Sequence, residues 1–110
     1  MARFFHYNDF GYCARCPRTQ HLHLCFGNLA LAATLDDFFL FKEHIGAIYY
    51  KQHLNLIPKD PEERCIAVRT PAQKMAMVFT AIELAQLWEI LENTALLLEV
   101  EKILADSAHG

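Results

Sequence analysis

Thr34 and Thr80 constrain the fold more tightly than any other two positions. Each is followed three residues later by a carboxylate, Asp37 or Glu83, and then by an apolar stripe at helical spacing. A hydroxyl at the N-cap and an acid in the first turn satisfy amides that have no intrahelical partner, so both threonines read as helix starts. The first stripe is Phe38, Phe41, Ile45, Ile48 and Tyr49, on a helix running to about Gln52. The second is Leu84, Leu87, Trp88, Leu91 and Ala95, on a helix running to about Ala105.

A hairpin precedes each cap. Leu22, Leu24 and Phe26 alternate with His21, His23 and Cys25, the period of a strand with one buried face. Gly27-Asn28 is a two-residue turn, and Leu29, Leu31 and Ala33 continue as the return strand. Ile66 and Val68, a turn at Thr70 to Gln73, and Met75, Met77 and Phe79 repeat the arrangement. A shift of 46 residues lays Thr34 on Thr80, Phe38 on Leu84, Phe41 on Leu87 and Ile45 on Leu91. These matches predict one domain, 1–110, with internal repeats at about 21–53 and 65–105. The expected fold class is α+β in two layers: an antiparallel sheet of four to five strands, two helices on one face, built from two β-hairpin–helix repeats. Residues 1–11, rich in aromatics, read as an edge strand or an ordered arm.

Candidate chemistry concentrates between Cys13 and Asn28. Cys13-Ala14-Arg15-Cys16 has the spacing of one zinc knuckle, in which two thiolates reach one tetrahedral ion. A structural site needs four ligands, so Cys25, His21 and His23 are the expected completing set, with Cys65, His6 or a symmetry mate as further sources. The bland alternative makes Cys25 and Cys65 small buried hydrophobes and the histidines exposed strand residues. A redox pair is the competing chemistry, but Pro17 and a strand follow Cys16 where a reactive CxxC has a helix N-terminus. Nothing supports hydrolysis: Ser107 is the only serine, and it lies in the tail.

Composition narrows the partners. A net charge of −3 removes a chain-wide footprint for nucleic acid. No apolar run approaches the ~20 residues a membrane span needs, and MARFFHYNDFG lacks the apolar core of a secretory signal. The expected location is the cytoplasm, where cysteines stay thiols or bind metal. Hydrophobic residues make up 54% of the chain against 21% charged, more apolar surface than one core absorbs. On the second helix the stripe swings after Ala95: Leu96, Leu97, Val100, Ile103 and Leu104 face nearly opposite to Leu84 and Leu91. A homodimer would bury them, against the symmetry copy or against the partner's first helix near Phe39 and Tyr50.

The runs YCARC, HLHLCFGNLAL, TLDDF and TAIELAQL resemble a family of small bacterial (Bacteroidota-type) proteins known only as a domain of unknown function. The resemblance spans about residues 12–104, with Cys13, Cys16, Phe26 and Gly27 at the matching positions. It implies a soluble bacterial protein and no established activity. Together the residues read as a non-enzymatic cytoplasmic interaction or regulatory domain with a structural zinc at the CxxC segment. The alternative is a thiol-dependent redox protein using Cys13 and Cys16.

Overall fold

A computed structural model describes residues 3–54, 66–69 and 75–109. The elements are β1 (Arg3–Tyr7), β2 (Gly11–Arg15), β3 (Leu22–Phe26), β4 (Leu29–Ala33), α1 (Leu35–Leu54), β5 (Ile66–Arg69), β6 (Ala76–Phe79) and α2 (Ala81–His109). Cys65, the 55–64 connection and the turn expected at Thr70 to Gln73 lie outside the described residues.

The fold is α+β, with both helices on one face of an antiparallel sheet. Strands β1 to β4 form a four-stranded meander in chain order, and β5 and β6 form a ladder of their own. The N-terminal residues supply two full strands, β1 at the edge and β2 inside the sheet. Each helix follows a hairpin, β3–β4 before α1 and β5–β6 before α2.

Local chemistry fixes these elements. Thr34 Oγ1 accepts from Asp37 N at 3.2 Å. Thr80 Oγ1 accepts from Glu83 N at 3.0 Å while Glu83 Oε1 accepts from Thr80 N at 2.9 Å, a reciprocal capping box. Gly27 sits at φ +55°, the backbone a two-residue hairpin needs at its first turn position. The β1–β2 turn is organised by Asn8, whose Oδ1 accepts from Phe10 N and Gly11 N. Gly11 admits no side chain, because a Cβ there would stand 2.0 Å from the Cys25 carbonyl oxygen.

The core lies between the sheet and the helices. Leu22, Leu24 and Phe26 face inward from β3, and Phe38 and Ile45 from α1 meet Leu84, Leu87 and Leu91 from α2. Phe26 on β3 joins α1, β6 and the β1–β2 turn: its ring centroid lies 5.8 Å from Phe10, 6.3 Å from Phe41 and 6.0 Å from Phe79. The helices approach closely where Gly46 meets the Trp88 ring. That ring is stacked on Tyr49 at 5.8 Å, with the Lys42 ammonium 4.9 Å from its centroid.

One helix outruns its expected end. α2 is continuous through Asn93-Thr94 to His109, since no proline or glycine interrupts it before Gly110. Its 29 residues span about 43 Å at 1.5 Å per residue, most of the molecule's 51 Å long dimension. Among the residues whose burial is described, Leu98 is its last buried side chain, and 102–107 are all exposed.

A Cβ on Gly46 would fall 2.8 Å and 2.9 Å from Trp88 ring carbons. Gly46→Ala gains about 1 kcal/mol of helix propensity, but overpacking against a stacked indole costs about 1–3 kcal/mol. The expected result in a urea titration is a net loss of stability. A more stable variant would show that the ring moves freely.

Candidate functional site

Strand alternation sorts the residues of the CxxC hairpin onto two faces. Cys13 pairs with Leu24 and points into the core, fully buried; Tyr12 pairs with Cys25 on the outer face. Cys16 follows β2 and continues its ladder, its amide donating to the His21 carbonyl at 2.9 Å. At about 3.3 Å per residue along a strand, the Cα atoms of Cys13 and Cys16 stand about 10 Å apart, beyond the ~7 Å that a disulfide bridges. His21 and His23 are exposed. His6 lies 2.8 Å from a Glu89 carboxylate oxygen on α2. The structure therefore does not gather Cys13, Cys16, Cys25, His21 and His23 at one point. Among the described residues no group of three or more His, Cys, Asp or Glu is placed to hold a metal ion.

The thiols have opposite surroundings. Burial pushes Cys13 up to about 11, and the Thr94 hydroxyl of α2 pulls it back only in part. That hydroxyl, itself buried, makes no hydrogen bond of conventional geometry, so its contact with the sulfur is weak. Cys16 is held below the ordinary thiol value: the Thr19 amide and hydroxyl and the Arg18 amide donate to its sulfur. The turn that aims them is closed by Gln20 at φ +63°, whose amide donates to the Cys16 carbonyl at 2.9 Å. The more acidic thiol is thus the half-exposed one, set by a tight turn rather than a helix end.

The outer face forms two cross-strand rows. One reads Phe4, Ala14, His23, Ala32; the other reads Tyr7, Tyr12, Cys25, Ala30. Phe4 packs on Tyr12 with centroids 5.3 Å apart. Bonding to Cys25 raises the Tyr12 phenol above its usual value.

Two polar latches tie β1 and β2 to α2, and the sequence reading missed both because their members are far apart in the chain. Asn8 Nδ2 donates to Gln86 O at 3.0 Å and to Glu89 Oε2 at 2.9 Å, beside the His6 contact. Further along, Glu101 pairs with Arg3 and, at 3.0 Å, with Arg15. Both guanidiniums lie over the Phe5 ring, at 5.2 and 5.3 Å from its centroid. Among the described residues no helix is long and apolar enough to cross a membrane.

Residues 2–106 match the model of a family described as a family of unknown function, DUF6686. The chain belongs to that family. The DUF6686 match starts just before β1 and ends three residues short of the end of α2, so both latches and the CxxC hairpin fall within it. No curated protein and no solved structure matches the chain.

Two outcomes follow from the charges. In alkylation followed by mass spectrometry, Cys16 should react at lower pH than an ordinary thiol, and Thr19→Val should raise the pH it needs. Cys13 should react only on unfolding; fast labelling of Cys13 in native protein would contradict its burial. The second concerns Glu89, whose pKa is lowered by His6 and then by Asn8. A folded value below the unfolded one means its stabilisation is full above the ordinary value of 4.5 and is lost as pH falls through the folded value. Glu89→Gln should therefore flatten the acid limb of a stability–pH curve measured by urea melts between about pH 6 and 3, and an unchanged limb would show that the latch contributes nothing.

Proposed function

We propose that this chain is a cytoplasmic, non-enzymatic interaction domain that pairs with a second copy through the end of α2. The observation that carries the reading is the apolar stripe on the projecting part of that helix. Leu96, Ile103 and Leu104 are 60%, 63% and 64% exposed, with Val100 between them. Their spacing, 96–100–103, is that of a seam between two helices. Upstream, Glu89 and Asn93 occupy the same side of the helix, so the stripe is confined to the end. Leu97, expected in the same set, instead packs half-buried against the core.

Burying a Leu, Ile or Val side chain is worth ~1.5–3 kcal/mol, so pairing these ends recovers stabilisation that the isolated chain forgoes. A two-fold arrangement buries the same patch of both copies at once. In this reading the CxxC segment is structural. Cys13 fills the core under α2, Cys16 holds the turn that leads into β3, and neither zinc nor thiol exchange takes part. The three described cysteines are all thiols, which suits a reducing compartment.

Ile103→Glu with Leu104→Glu tests the pairing, since both side chains lie in solvent in the single chain and the fold does not depend on them. Sedimentation at micromolar concentration should show the variant at half the mass of the native assembly, with unchanged circular dichroism. A native protein with the same mass as the variant would overturn the proposal.

A further inference from the structure

The outer face of the four-stranded sheet carries no charged side chain in either of its two rows. That departs from the usual one-sided antiparallel sheet, where the solvated face alternates to polar residues. Phe4 is 61% exposed and Tyr7 77% exposed, and Ala30 and Ala32 lie open on the far side of the same face. Size is graded across it, with aromatics on the β1–β2 side and alanines on β4.

From this grading we infer that the outer face packs against the same face of a second copy. A two-fold axis lying between the two sheets, along the strands and midway between β2 and β3, carries β1 over β4 of the other copy. The row Phe4, Ala14, His23, Ala32 then meets itself reversed: Phe4 lies over Ala32, while Ala14, only 4% exposed, is already covered by its own chain and offers His23 no seat. The other row sets Tyr7 over Ala30 and Tyr12 over Cys25. In these three contacts, Phe4 on Ala32, Tyr7 on Ala30 and Tyr12 on Cys25, a large side chain meets a small one. Sheets packed face to face stand ~10 Å apart and need this kind of interdigitation. An axis across the strands would instead lay aromatics on aromatics and alanines on alanines, leaving a gap on one side. The self-match selects a second copy of this chain over an unrelated partner, which would not require the two halves of the face to complement each other.

The area sets the strength. Four strands ~4.8 Å apart and five residues long at ~3.4 Å cover about 19 by 17 Å, about 320 Å² of plan area, against ~800 Å² per partner in a standard interface. The association is therefore weak and concentration-dependent. It is separate from the pairing of α2 ends; two such surfaces with perpendicular axes build a dimer of dimers.

The test uses full-length chain carrying Ile103→Glu and Leu104→Glu, so that α2 pairing is removed, sedimented from ten micromolar to one millimolar. The expected result is a monomer–dimer equilibrium. Adding Phe4→Glu or Ala32→Lys to that chain should each leave a monomer with unchanged circular dichroism, because both positions are exposed in the single chain. An equimolar mixture of the two variants should recover the dimer, since the carboxylate introduced on β1 of one chain meets the ammonium introduced on β4 of the other only if β1 lies over β4. A monomer at one millimolar before the charges are added, an unaffected dimer after, or a mixture that stays monomeric would each overturn the inference. None of these outcomes bears on the α2 pairing, which is read from the mass difference between the native chain and the doubly substituted background.

Discussion

The structure depends on the packing of α2 along β1 and β2. Its apolar side covers Cys13 and Phe5, and the two latches fix it at separate points along its length, Glu89 near the β1–β2 turn and Glu101 near the other end of the strands. The latches are partly exposed, and exposed ion pairs of this kind contribute little energy each. Their effect is on register. The close-packed core already resists sliding, and the hydrogen-bonded amide of Asn8 and the carboxylate held by two arginines add polar contacts that only one register satisfies.

The helices were legible because their signals are local. Each cap binds within three residues, and each core stripe repeats at the helical period, so Thr34, Thr80, Leu84, Leu87 and Leu91 sit as their neighbours dictate. Gly27-Asn28 was legible for the same reason. The partnering of strands was less so. The sheet extends the first hairpin with residues 3–15, and the second hairpin keeps a ladder of its own; α2 packs on β1 and β2 across nearly the whole chain length, a contact with no local signal. The latches left no trace at all, since nothing near Arg3 or His6 in sequence points to Glu101 or Glu89.

The CxxC segment shows what spacing alone cannot say. Two residues between cysteines bring sulfurs together when the chain turns, and separate them when it is extended. Here Cys13 belongs to a strand whose ladder continues past Cys16, because β3 supplies a partner for every residue from Gly11 to Arg15. The turn comes after Cys16 instead of before it. Its amides converge on one sulfur, so the segment has one buried, reluctant thiol and one half-exposed, acidic thiol.

The irregularity between Phe4 and His6 has a consequence for how this strand can vary. β1 skips a partner there: Phe4 is opposite Ala14, yet His6 is opposite Cys13. The extra residue lets Phe5 reach the core and His6 reach Glu89 from the same side, while Phe4 and Tyr7 both stay outside. Loss of one residue from this stretch would restore strict alternation, and no single shift could then seat Phe5, His6 and Arg3 on α2 together. The length of β1 is thus not free to drift. A change of one residue in that count would cost the helix its contact with the edge of the sheet.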